Sequence, residues 1–204
     1  MANAVATSEW GAAVAAGYWT STRSAVPRDA VDAARHGDSD AFLRLYDEYA
    51  DRLRGLAYRT LGDGALLDDA MQEVAVRAFR GLPGFRGDSS IGTWLYQITF
   101  RTCLNMLRGR DRSVPVPDVD GLQSGEAPDF ADEVVRRLEL AAALASLPPG
   151  HRAVVFLVLE QDFDYRTAGS ILGIPPGTVA SRLSAARMTL ARCLSEGSDG
   201  GGES

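Results

Sequence analysis

Lysine is absent from the chain: all 21 basic side chains among its 204 residues are arginine. That removes Schiff-base chemistry and the Gly-Lys phosphate loop, both of which need a primary amine. Cysteine and histidine are nearly missing as well. Cys103 and Cys193 lie far apart without a C-x-x-C pair, and the histidines are His36 and His151 alone. Neither a disulfide framework nor a zinc site assembles from that set, so free thiols are expected, with no metal and no cofactor. No apolar run is long enough to cross a bilayer. The opening M-A-N-A-V-A-T-S-E-W has neither the basic start nor the apolar block of a secretory signal. A cytoplasmic protein without membrane insertion is the expectation. No nucleophile–base pair stands out either, so no enzyme is expected. The net charge of −6 argues against coating nucleic acid by bulk attraction and leaves room only for local basic patches.

What is present is helical periodicity. Residues 1–27 are rich in Ala, Ser, Thr and Gly without a clear period, and read as a mobile extension carrying Trp10, Tyr18 and Trp19. From Pro27 the spacing changes. D-A-V-D-A-A-R-H runs to a stop at Gly37, and Phe42, Leu45, Tyr46, Tyr49, Leu53, Leu56 and Ala57 fall on one helical face. G-D-G at 62–64 breaks that helix, and another starts near Ala65 with Leu67, Ala70, Met71, Val74 and Ala78 inward. A turn-rich loop follows over 81–90, where Asp88 or Ser89 can cap the next helix. That helix reads I-G-T-W-L-Y-Q-I-T-F-R-T-C-L-N-M-L-R-G-R and ends in arginines.

Residues 113–133 hold prolines and acids, among them Asp118, Asp120, Glu126 and Asp129, and read as a flexible linker. Helical pattern returns at Asp132–Leu147 and again at His151–Glu160. Last come two helices separated by a tight turn at Gly173, Tyr165–Leu172 and roughly Pro176–Cys193, with Val179, Leu183, Ala186 and Leu190 toward a core. Helix, glycine turn, helix is the geometry that lays a second helix in the major groove, although a plain helical hairpin has the same pattern. The fold class expected is all-α: two small helical bundle domains joined by a flexible linker, the C-terminal one a helix-turn-helix. The expected division is an extension over 1–27, domains over 28–112 and 134–196, the linker between them, and a disordered tail over 197–204.

The motifs sharpen this. L-P-P-G-H-R-A-V-V-F-L followed by D-Y-R-T-A-G-S-I-L-G-I-P-P-G-T-V-A-S-R-L-S-A-A-R closely resembles the promoter-reading fourth domain of extracytoplasmic-function sigma factors, in the sigma-70 family. F-L-R-L-Y-D-E-Y, D-D-A-M-Q-E-V-A-V-R-A-F and F-R-G-D-S-S-I-G-T-W-L-Y-Q-I-T-F-R-T-C-L-N-M-L-R look like the second domain of the same family. Two motif sets stand in family order with a linker between.

The resemblance implies a protein that binds core RNA polymerase, reads minus-35 and minus-10 elements, and helps melt DNA. Polymerase contacts are expected at the β′ clamp and the β flap. The clamp-binding residues would be Asp68, Asp69, Gln72, Glu73 and Arg77, a polar ridge that otherwise reads as a solvated face. For minus-10 DNA the family's base pocket corresponds to Phe85–Ser90, with Arg86, Asp88, Ser89 and Ser90, and the helix after it offers Arg101, Asn105 and Arg108. Trp94 and Tyr96 either stack on unpaired bases or belong to the core. For minus-35 DNA the residues are Arg166, Thr178, Ser181, Arg182, Ser184 and Arg187. Here the chain departs from the family: Ala180 and Ala185 are small where larger or basic side chains are usual, so shape readout gains weight over guanine contacts. An anti-sigma partner is also implied. The rival is a stand-alone helix-turn-helix regulator, which would bind duplex DNA without polymerase.

Overall fold

The computed structural model describes residues 27–62, 64–110 and 140–199. Among them every regular element is a helix. The extension before Pro27, the expected linker and the first part of the Asp132–Leu147 helix lie outside the described residues.

The first module opens with α1 (Arg28–Arg35), preceded by Pro27 and stopped where Gly37 takes φ +93°. The longer α2 (Ser39–Leu61) is capped by Asp38, whose carboxylate accepts from the Ala41 N–H at 2.9 Å. It ends at Gly62, which turns left-handed at φ +74° and donates its N–H to the Tyr58 carbonyl at 2.9 Å. Next come α3 (Leu67–Gly81), a short 3-10 turn at Leu82–Gly84, and α4 (Ile91–Arg110). The cap of α4 is Ser90, one residue beyond the two expected caps: its Oγ accepts from the Thr93 N–H at 3.0 Å.

In the second module, α5 (140–146) leads to α6 (Pro149–Val155), which runs on into a π-helical turn at Phe156–Glu160. Then come α7 (Tyr165–Leu172), capped by Asp164 at 2.7 Å from the Thr167 N–H, and α8 (Pro176–Asp199). The turn between α7 and α8 bends at Gly173, φ +68°. It also presses on Gly169, where a Cβ would stand 2.6 Å from the Ile174 carbonyl oxygen, so the hairpin closes only over a residue without a side chain. α8 continues one to two turns beyond the expected end at Cys193.

Apolar faces drive the packing. Leu53, Leu56 and Leu95 of the first module and Val154, Phe156, Leu157, Ile171, Val179 and Leu183 of the second are all buried. They belong to one continuous apolar cluster rather than two. A smaller cluster of Ala57, Leu61, Ala70 and Cys103 packs α2, α3 and α4 together within the first module. There burial pushes the Cys103 thiol up to about 12, leaving it a packing group with almost no thiolate at neutral pH.

The two modules therefore touch. α6 lies against α2, and α7 against α4. Arg152, only 9 % exposed, is the densest polar junction of this contact. Its Nε donates to the Arg59 carbonyl at 2.6 Å and its Nη2 to the Thr60 carbonyl at 3.0 Å, both in the last turn of α2. Its Nη1 holds the Ala145 and Leu147 carbonyls of its own module at 3.0 and 2.6 Å. A buried guanidinium is tolerated here because four backbone carbonyls at helix ends accept from it.

Candidate nucleic-acid interface

On α3, Ala70, Val74 and Ala78 face inward, and the polar positions between them lie on the other side. Asp68, Asp69, Gln72 and Arg77 are exposed and Glu73 is half-buried. Asp68 is held by Arg54 of α2 at 2.6 Å, and Glu73 by Arg77 one turn on at 2.6 Å. Exposed pairs of this kind contribute little to stability, so the ridge is available for exchange with a partner's charges. Exposed Val76 and Phe79 continue it toward the end of α3.

The loop before α4 hangs from an aromatic anchor. Phe85 tilts against Trp94 with ring centroids 5.4 Å apart, and Gly81 leaves room for the indole, since a Cβ there would stand 3.1 Å from it. Trp94 is thus half-buried in its own module. From this base Arg86 and Asp88 project as exposed groups at the turn where Gly87 takes φ +78°. Ser90, besides capping α4, shares a 2.9 Å hydrogen bond with the Thr93 hydroxyl, and Ser89 donates to the Ser90 carbonyl at 3.3 Å. Both serines are engaged in shaping the loop.

Along α4, Arg101, Asn105 and Arg108 are all exposed. Their spacing of four and three residues puts them on one face. Gln97 stands one turn earlier on the same stripe and is taken up by the second module: its Nε2 donates to the Ser170 carbonyl at 3.1 Å and meets the Ser170 hydroxyl at 3.2 Å. Tyr96, a candidate for base stacking in the sequence, is instead buried between the modules. Its hydroxyl donates to Gln161 at 3.0 Å, its ring meets Phe163 edge-on at 5.3 Å, and burial raises its pKa well above the usual phenol value.

In the helix-turn-helix, Arg166, Ser181, Ser184 and Arg187 are exposed and Thr178 is half-buried. Ser181 donates to the Thr178 carbonyl at 3.1 Å, one turn back. Arg182 is turned into its own module: its Nη1 lies 2.9 Å from where a Cβ on Gly150 would sit. It faces His151, whose pKa is lowered by burial first and by the Arg182 charge second. Its expected phosphate contact would require the side chain to swing out. Ala180 and Ala185 are half-buried, and Met188 is exposed on the same helix.

Sequence reasoning missed the polar groups between the modules: Arg152, Gln97, Gln161 and the half-buried Arg59–Glu160 pair at 3.1 Å. The one signal was Arg152, a charge set directly before the apolar run A-V-V-F-L. Among the described residues no group of three or more His, Cys, Asp and Glu is placed to hold a metal ion, and no helix is long and apolar enough to cross a membrane.

Comparison with known proteins matches both modules to one family. The family profile for Sigma-70 region 2 matches residues 45–113, and that for Sigma-70, region 4 matches residues 137–190. The RNA polymerase sigma-H factor of Pseudomonas aeruginosa is 31% identical over 178 residues, covering 80% of this chain and 91% of that protein. The ECF RNA polymerase sigma factor SigM of Mycobacterium tuberculosis is 33% identical over 158 residues, covering 78% of this chain and 79% of that protein. Among solved structures, the sigma factor RpoE of Bartonella quintana, in complex with the anti-sigma factor NepR, shares the fold. It has a TM-score of 0.61 and 22% identity over 76% of this chain and 96% of that one.

Proposed function

This chain belongs to the sigma-70 family of RNA polymerase sigma factors, in its extracytoplasmic-function branch, and from that premise we propose which of its surfaces carry promoter recognition and transcription initiation. Sigma factors are DNA-binding regulators, and this one acts by binding rather than by catalysis.

The α3 ridge, Asp68, Asp69, Gln72, Glu73 and Arg77, docks on a basic face of core polymerase. The 85–90 loop with Arg86, Asp88, Ser89 and Ser90 receives an unstacked base of the minus-10 element. Unstacking costs a few kcal/mol, so a preformed pocket is needed to hold the open strand. Arg101, Asn105 and Arg108 follow the neighbouring duplex, the arginines on phosphate and the amide on a base edge. The second module sets α8 in the major groove of the minus-35 element, with Arg166, Thr178, Ser181, Ser184 and Arg187 facing DNA and Arg182 joining them when it leaves Gly150. Small groups at Ala180 and Ala185 leave room for the groove wall, so specificity leans on shape. A partner of the anti-sigma type belongs to the same proposal. The observation that carries it is the exposed stripe of Arg101, Asn105 and Arg108, on the same module as the largely exposed acidic ridge of α3.

The test is run-off transcription by core polymerase on a fully duplex promoter, with and without this protein, followed by mapping of the start sites. Defined starts that depend on the protein are expected. Tight duplex binding without polymerase, and no transcription with it, would instead make it a stand-alone regulator.

A further inference from the structure

The edge along which α2 meets α3 is charged at one end and apolar at the other. Arg54 meets Asp68 at 2.6 Å. Eleven residues back along α2 and eleven forward along α3, the same antiparallel register sets Leu43 beside Phe79. Phe42, the neighbour of Leu43, packs edge-on against Phe79 with ring centroids 5.1 Å apart, in keeping with that register. Leu43 is nevertheless 60% exposed, Phe79 43%, and Val76, one turn before Phe79, 42%. A lone apolar side chain on a surface needs no explanation, whereas three large ones on one edge mark a place of contact.

An occupant of matching chemistry lies in the same chain. Residues 1–26 are outside the described residues, and their sequence has Glu9 and Arg23 as its only charged side chains. It also holds Tyr18 and two of the three tryptophans, Trp10 and Trp19. The segment joins the described residues at Pro27, the start of α1. α1 packs on α2 and on the Leu82–Gly84 turn that directly follows α3, so the segment enters at the end of the module where Phe79 lies. Trp19 precedes Pro27 by eight residues, a reach of about 25 Å at full extension, against about 12 Å for the length of α1. On so short a tether an indole meets the edge at a roughly millimolar effective concentration. With almost no charge, the segment brings no like-charge repulsion to Asp68 and Asp69, and an indole covers more apolar surface than most side chains.

We propose that the segment before Pro27 docks on this edge through Trp19, against Leu43, Val76 and Phe79, and so shields the adjoining ridge in the free chain. Val76 follows Gln72 and Glu73 by one turn of α3. A segment seated on Val76 and Phe79 therefore stands over one end of the surface assigned to core polymerase. Polymerase binds in exchange for the segment, and its apparent affinity follows the fraction of chains whose edge is uncovered. The shielding rests on the assignment of the α3 ridge above; the contact itself does not.

The experiment reads the indole N–H resonances of the 204-residue chain, assigned with Trp10→Phe and Trp19→Phe, beside a nitroxide at Asp47→Cys. That position is exposed and lies one turn from Leu43 on α2. Cys193→Ser removes the competing thiol, and the buried Cys103 stays unlabelled. The label is expected to broaden the Trp19 resonance, and Leu43→Ser to sharpen it again. Trp19→Ala and Leu43→Ser should each bind core polymerase about tenfold more tightly than wild type, because the competent fraction rises. A Trp19 resonance that is the same with and without Leu43→Ser overturns the contact. So does broadening that passes from a labelled chain to an unlabelled one in a mixture, which gives the edge to a second copy. Trp19→Ala with wild-type affinity overturns the shielding. Wild-type protein that binds no core polymerase while Trp19 is still broadened strikes the assigned function, and the shielding with it, while the contact stands.

Discussion

Arg152 donates to the Thr60 carbonyl at 3.0 Å across 92 positions of sequence, so a side chain of the second module completes the helix end of the first. Truncation leaves four carbonyls short of a donor. Arg152→Ala is expected to cost about 3 kcal/mol, a fall in Tm of roughly 10 °C by thermal unfolding. Arg152→Lys should recover little, because a single ammonium cannot hold two helix ends at once as the forked guanidinium does.

Asp69 stands exposed on α3 with its fold role limited to the first helical turn. Asp69→Arg should leave the far-ultraviolet circular dichroism unchanged and weaken binding to core polymerase about a hundredfold. Retained affinity would place the docking face elsewhere.

Asn105 presents its amide between two arginines of the α4 stripe. Asn105→Ala should slow promoter opening about tenfold, followed as reactivity of unpaired thymines, with binding to core polymerase intact.

Gly169 admits the turn of the helix-turn-helix. A methyl there meets the Ile174 carbonyl at 2.6 Å, backbone that cannot rotate away. Gly169→Ala should cost about 1–3 kcal/mol and splay α8 from α7. The loss appears first in binding of minus-35 duplex, while the first module still binds core polymerase.

Glu160 gives a dependence on pH. Burial raises its carboxyl above the usual range, and the Arg59 charge pulls it back only in part. Between neutrality and the ordinary carboxyl range, the folded chain takes up a proton that the unfolded chain does not. This group therefore adds stability as pH falls through that window, and the increment is lost as pH rises again. Glu160→Gln should flatten that part of the Tm-against-pH curve.

Most of the helical frame was legible because periodicity records burial directly. Val179, Leu183, Ala186 and Leu190 repeat at helical spacing, and the structure buries all four. The outward-facing ridge of α3 followed from the same count. The joint between the modules was not legible, for two physical reasons. Arg152 binds backbone carbonyls, which carry no residue-specific trace. Tyr96, Phe156 and Phe163 read as apolar whether they face their own module or its neighbour. The α4 cap was displaced by one residue because Asp88, Ser89 and Ser90 all have capping oxygens, and only the backbone path selects Ser90.

The apolar cluster that runs through both modules also bears on how the chain is made. During synthesis the first module leaves the ribosome before Phe156 and Phe163 exist to cover it. For the time needed to add the remaining residues, a few seconds at about 5–20 residues per second, that shoulder faces water. The nascent half is then the sticky species, and a truncated message ending in the linker would yield a product prone to aggregate.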